Sequence, residues 1–501
     1  MKRVLALLLD AAEPELIERW MEDGSLPNLK RLRERGMYGR LRPVDEWLAE
    51  CEQYAFWSGQ NPAATGLYYY IMWHKESMTV RPPGPDWQPH RPFWRSFERG
   101  GPRAVVLDAP NVYPPEPFNG AEVIGWATHD AMAPFQSYPP EFAAWIHRRF
   151  SSSLLPDERY GPLSKREFLK ELRSMQQLNE KFSDLCLAMM QKEAWDLLLA
   201  CNATLHSAGH RLWNTVNLKD SLTSGEQADL SDAVHQVYMA CDRAVGKIVD
   251  AAPTDAVVMI LSLHGMGVNT SRSCILPEML GRVLNDGAAS RGAIARLRES
   301  IPVELRHMVK SRLPFHWRRG LTRYWRTSGH DWRTTRAFSM PSDTQGWVRI
   351  NLKGREAQGA VDPADYDALC QEIADGLKSF VEADTGEPLV KAILNPQQVM
   401  AGPRLHDLPD LIVRWSDRPA SMHRTVTSPR FGTVPWPTPG QNPEGRGGNH
   451  RAQGMLIVSG PGIGAGGIED AGVLDLAPTI LTLLDQPVPA DLEGTPIQLA
   501  P

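Results

Sequence analysis

The chain opens with MKRVLALLLD, residues 1–10: two cations, an unbroken apolar run from Val4 to Leu9, and then Asp10. An apolar run this short, bounded by charge on both sides, predicts a strand buried on both faces, as at the centre of a parallel sheet. Lys2 and Arg3 ahead of apolar residues also suggest a secretory leader. The run stops at Asp10, however, and no small-residue cleavage site follows, so a strand is expected. Asp10 then falls at the carboxyl end of that strand. Pro14 stands where the first turn of a helix tolerates proline, Leu16, Ile17 and Trp20 mark an apolar stripe, and Gly24 ends it. A second helix is expected from Pro27 to Gly36.

The same alternation recurs along the chain. AVVLD (104–108), WDLLLA (195–200), VVMIL (257–261) and LIVS (456–459) are short apolar runs that end in polar or glycine-rich turns. Strands alternating with helices predict an α/β protein with a mostly parallel central sheet and helices on both faces. Ligands of such sheets gather just beyond the carboxyl ends of the strands, which is where the unusual polar residues fall. Between Gly267 and about Leu394 the texture changes. Residues 310–336 are dense in Arg and Trp with Asp331 as their one acid, and GWVRINLKGRE (346–356) alternates like a strand with Arg349 on one face. An inserted cap subdomain is therefore expected over 267–394, with residues 1–266 and 395–501 as the core. Arg349 and Arg355 are its candidates for binding anionic groups of a substrate. Residues 427–449, rich in Pro and Gly, read as a loop delivering His450.

The bulk numbers exclude some classes of function. The 501 residues, 42% hydrophobic and 23% charged, are ordinary for a globular chain with a large core. A net charge of -5 carries no footprint for nucleic acid or an anionic membrane. No apolar stretch is long enough to span a bilayer. The six cysteines, at 51, 186, 201, 241, 274 and 370, form no CxxC pair and read as reduced thiols of a cytoplasmic protein. The expected partner is a small, anionic molecule.

Four segments carry chemistry. HSAGH places His206 and His210 four apart, on one helix face, where they can share a metal ion. LSLHGMG puts His264 just past a strand, and GGNHRAQG brings His450 through a glycine-rich approach. Each is ordinary alone: a buried hydrogen-bonded histidine explains His264, and a helix N-cap explains Asp10. Four such signals at four strand ends point jointly to a metal centre. His129-Asp130, after EVIGWAT, is either a further cleft residue pair or a turn.

These segments resemble the type I phosphodiesterase/nucleotide pyrophosphatase branch of the alkaline phosphatase superfamily. The opening strand with Asp10, GSLPNLKRLRERG, FWSGQNPAATG, LSLHGMG, GNHRAQGMLIVSGPGI and LDLAPTILTLLDQPVPADLEGTPI carry the likeness. In that branch two metal ions, usually zinc, flank a Ser or Thr nucleophile. The resemblance implies one tight divalent ion on His206, His210 and His450, with His206 in place of an Asp. It implies a weaker second site on Asp10 and His264, where Leu263 replaces an Asp and Glu50 can join. The nucleophile position falls on Ala49, beside Glu50 and Cys51, which become the catalytic candidates. Without a hydroxyl there, the resemblance implies a metal-dependent hydrolase of a phosphate ester or diester that uses metal-bound hydroxide, with Cys51 as the alternative nucleophile. The rivals are a mononuclear metalloenzyme of different reaction type, acting on a carboxyl derivative in a specialised pathway, and a degenerate member without turnover.

Overall fold

Arg3–Leu9 is the middle strand of a nine-stranded sheet. In this computed structural model, which describes residues 3–46, 48, 50–83, 91–112, 114–128, 134–150, 161–285 and 330–499, the strand pairs in parallel with Leu197–Asn202 on one side and Ala256–Ser262 on the other. Ala104–Leu107 and Gly120–Ile124 continue the parallel set. Gly454–Ser459 runs antiparallel between Ala256–Ser262 and Met37–Leu41. Leu5, Leu7 and Leu9 enter one apolar cluster, with Ile17 and Trp20 of helix Pro14–Glu22, Phe182 of Lys165–Lys192 and Val237 of Ala233–Ala251. Val4, Ala6 and Leu8 enter the other, with Phe56 of helix Glu52–Ser58 and Ile480 of Leu476–Leu483. Side chains alternate across a strand, so an unbroken apolar run is what a doubly covered strand requires. The expected mostly parallel sheet with helices on both faces is the observed one. Among the described residues, no helix is long and apolar enough to cross a membrane.

The polar residues cluster where the parallel strands end. Asp10 follows Leu9. Asn202 leads into helix Thr204–Leu212, which carries His206 and His210. Ser262 leads to His264 and then to Gly265–Val268, a short strand paired antiparallel with Gly448–Arg451 so that His450 lies opposite Met266.

A second, four-stranded antiparallel sheet is ordered Ala337–Met340, Gly346–Ile350, Leu411–Trp415, Val390–Leu394. Three of these strands fall within 267–394, and Leu411–Trp415 lies beyond it. One face packs on helices Leu276–Val283 and Tyr366–Lys378. From the other, Phe338, Met340, Trp347 and Ile412 pack on Cys51, Tyr54, Tyr68, Tyr69 and Trp73, the segment just after Glu50. Within 427–449, expected as loop, Gly432–Pro435 forms a hairpin with Thr425–Ser428. Val426 and Val434 are buried there, a period-two signal too short to stand out among prolines and glycines. His129-Asp130 and the Arg/Trp-rich stretch as far as residue 329 lie outside the described residues, as does Ala49.

Candidate active site

His206 and His210 sit one turn apart on their helix, and their Nε2 atoms are 3.0 Å apart. The Nε2 of His450 lies 3.1 Å from that of His206. The outer nitrogens fix what these inner ones carry. His206 Nδ1 is 2.8 Å from Asp10 Oδ2, and His210 Nδ1 is 3.0 Å from the Gly448 carbonyl oxygen. Both partners only accept, so in the neutral rings both Nδ1 atoms hold the proton and both Nε2 atoms present lone pairs. Lone pairs at 3.0 Å repel unless a cation lies between them. A proton can bridge two nitrogens; three converging nitrogens suit a metal ion. A tetrahedral ion with bonds of about 2.0–2.1 Å to imidazole sets neighbouring nitrogens about 3.3 Å apart. Carboxylate and carbonyl acceptors on the far ring nitrogens are the usual outer partners of metal-bound histidines. The residues present therefore fit a divalent ion.

His264 stands against the same group, with His206, His264 and His450 offering donor atoms within 4.8 Å of one another. Its Nε2 is 3.9 Å from Asp10 Oδ1. Neither of its ring nitrogens has a hydrogen-bond partner among the described residues, and burial pulls its pKa down to about 4. A buried neutral imidazole in that condition is a ligand donor or an unrecovered desolvation cost. Asp10 spans both halves of the site, Oδ2 orienting His206 and Oδ1 facing His264 while accepting from Gln53 Nε2 at 3.3 Å.

Local packing brings these segments together. A Cβ on Gly448 would lie 2.3 Å from the Gly209 carbonyl oxygen, so glycine there lets the His450 strand rest directly on the histidine helix. Glu13, the N-cap of helix Pro14–Glu22, accepts the Met266 N–H at 2.8 Å and ties the Asp10 turn to the strand after His264.

The site opens into a cleft lined by Asp10, His206, His264 and His450 together with Glu50, Gln53, Tyr69, Tyr70, Pro110, Asn111 and Asp343. Glu50 Oε1 accepts the Thr344 N–H at 2.9 Å; its Oε2 is buried and has no hydrogen-bond partner among the described residues. Burial and the neighbouring Asp343 push Glu50 up to about 7. Asp343 comes from the turn between the first two strands of the second sheet, where its carbonyl accepts from Asn449, the neighbour of His450. The sequence reading missed Tyr69, Tyr70, Gln53, Asn111 and Asp343. The run of three tyrosines at 68–70 was the one visible signal.

Three residues expected in the site are elsewhere. Cys51 is fully buried in the cluster beneath the second sheet, does not line the cleft, and has its thiol pushed well up by burial. Arg349 does not line the cleft either: its Nε donates to Glu356 at 2.9 Å and its Nη1 to the His406 and Leu408 carbonyls. Arg355 is clamped on Asp410 at 2.7 Å through two nitrogens. The alternation of 346–350 marks a strand buried on both faces, so its one cation turns to an internal carboxylate and not to a ligand.

A mostly parallel sheet with histidines and carboxylates gathered past its strand ends defines a hydrolase of phosphodiesterase/phosphatase type on the alkaline-phosphatase-like fold. The chain belongs to the type I phosphodiesterase/nucleotide pyrophosphatase family, whose model matches residues 4–429. Among solved structures it is similar to phosphonoacetate hydrolase from Sinorhizobium meliloti, in complexes with phosphonoformate and with phosphonoacetate. Each match has 14% identity, covers 96% of both chains, and has a TM-score of 0.50, a likeness of fold. Comparison with curated proteins gives no match.

Proposed function

We propose that the protein is a metal-dependent hydrolase of a phosphate ester or diester in which water, not a side chain, is the attacking group. The observation that carries this reading is the convergence of the His206, His210 and His450 Nε2 atoms, with two of their outer nitrogens already committed to acceptors. These three histidines would hold one tight divalent ion, zinc being the natural choice for imidazole donors. Asp10 and His264 would form a weaker flank. Such an ion supplies Lewis acidity toward a phosphoryl oxygen and lowers the pKa of water bound to it toward neutrality. Asp10 holds His206 in the tautomer that points Nε2 inward. Glu13 keeps the Asp10 and His264 turns in register. Among the described residues lining the cleft there is no serine, threonine or cysteine, which favours water as nucleophile. The six free cysteines suit a reducing compartment, and we assign the protein to the cytoplasm.

Elemental analysis of gently purified protein should find one divalent ion per chain. Its removal by a chelator should end turnover across a panel of phosphate mono- and diesters, and zinc should restore it. Metal-free protein that still turns over these esters would sink the reading. Cys51→Ala should keep turnover within about threefold, because a neutral, buried thiol makes a poor nucleophile. A dead Cys51→Ala protein with normal metal content, or a covalent adduct on Cys51, would put the thiol in the reaction.

A further inference from the structure

Asp10 steers His206 through Oδ2, and the terminal torsion of an aspartate is broad, so contacts on Oδ1 decide where Oδ2 points. Gln53 Nε2 donates to Asp10 Oδ1 at 3.3 Å, and Gln53 Oε1 accepts from Asn111 Nδ2 at 2.5 Å. Chemistry leaves one orientation for these groups. An ionised carboxylate only accepts, so Gln53 must turn its NH2 to Asp10. Its oxygen then faces Asn111, which must present its own NH2. Asn111 belongs to a turn of unusual backbone. Asp108 and Asn111 stand at φ +53 and +61, a region that Asp and Asn enter more readily than other side chains. Asp108 accepts the Trp126 and Ala127 N–H groups at 2.9 and 2.6 Å, and the Pro110 carbonyl accepts the Trp57 indole N–H at 2.8 Å. That last bond ties the turn to helix Glu52–Ser58, which carries Gln53. Turn and helix are therefore joined independently of the amide pair, and both amides line the cleft.

We propose that Gln53 is a positioning residue for the metal ion: oriented by Asn111, it holds the Asp10 carboxylate so that His206 keeps Nε2 aimed at His210 and His450. The proposal rests on the three-histidine metal reading and extends it two groups outward. The order of the relay has a consequence that space-filling amides would not share. Asn111 acts only through Gln53, so its removal matters while Gln53 is present and not afterwards. Without Asn111, Gln53 can still donate to Asp10 but loses the partner that orients it.

The test measures zinc affinity of the metal-free protein by competition with a chromophoric chelator, with melting of the metal-free protein as the control for folding. Gln53→Met keeps the bulk, removes the donor, and should weaken zinc by about tenfold, the low end for loss of an outer partner. Asn111→Ala should weaken it by about threefold, because Gln53 still donates without its guide. The double variant should match Gln53→Met. Independent effects that multiply to about thirtyfold in the double variant would overturn the relay. So would Gln53→Met within about twofold of wild type. Weakened zinc confined to variants whose metal-free form melts lower also overturns it, since the amides then serve the fold. Gln53→Leu carries the same measurement should the methionine variant misfold. The expected order of affinities in a protein that hydrolyses no phosphate ester keeps the relay and sinks the hydrolase reading. Wild-type protein that binds no zinc sinks both.

Discussion

Replacing His206 by alanine is expected to strip the chain of its ion during gentle purification and to lower turnover at least about a thousandfold, about 4 kcal/mol in barrier. His206 is the shared vertex of the donor set, its Nε2 lying 3.0 Å from that of His210 and 3.1 Å from that of His450. Its removal leaves two imidazoles, and it also takes from the buried Asp10 carboxylate its 2.8 Å partner. A buried carboxylate without its partner costs more than the lost contact, so Asp10 should rotate or take up a proton. Asp10→Asn makes the informative contrast, because it keeps the shape and removes the charge behind His206. Loss of such an outer partner lowers metal affinity by about 10–100-fold. The order of metal retention should be wild type, then Asp10→Asn, then His206→Ala. Elemental analysis with parallel ester hydrolysis reads it directly. A His206→Ala protein that keeps a full equivalent of metal would move the ion to His264 and Asp10.

The sheet was legible because its inner strands are covered on both faces. Val4–Leu9 and Val257–Leu261 must be apolar at every position, as must the runs at 104–107, 197–200 and 456–458. The histidines were legible for a related reason. His206 and His210 share a helix face by spacing alone, and His264 and His450 lie within a few residues of strand ends. Of the other contributors to the cleft, Gln53 lies in the short helix Glu52–Ser58 and the rest come from turns and irregular segments. Asp343 sits in a turn between two antiparallel strands, and Asn111 follows a strand at φ +61, so neither has a periodic neighbour to announce it. Glu50 and Cys51 are adjacent in sequence and opposite in fate, one lining the cleft and the other fully buried. Which of two neighbours turns inward is set by the second sheet lying on that segment, a contact between residues about 300 apart in the chain. Arg349 failed as a ligand candidate for the converse reason. A cation on an alternating strand reads as solvent- or ligand-facing until the buried acid that pairs with it is seen, and Glu356 lies seven residues on, past the strand's end.

Glu356→Ala should cost about 3–5 kcal/mol of stability, the range for breaking a buried ion pair by removing one partner. Glu356 Oε1 accepts from Arg349 Nε and from Arg355 Nε, both at 2.9 Å, and Oε2 accepts the Trp73 indole N–H at 2.7 Å. Both Arg349 and the Glu356 carboxylate are essentially without solvent contact. Alanine therefore leaves a buried guanidinium held, among the described residues, by two carbonyls, and a buried indole N–H with its acceptor gone. Arg355 suffers less, because Asp410 still holds it through two nitrogens and is itself fixed by Tyr366 and the Ile350 N–H. Trp73 belongs to the core segment on which the second sheet rests, so the lost acceptor also loosens that seam. The denaturant midpoint should fall accordingly, and hydrogen exchange should rise first along Gly346–Ile350. Glu356→Gln should cost less, since the amide oxygen can still accept from Trp73. Metal content should hold in both variants, because none of these groups touches a histidine of the site. A Glu356→Ala protein within about 1 kcal/mol of wild type would mean that the network is wet in solution, and that apolar packing alone holds the second sheet on the core.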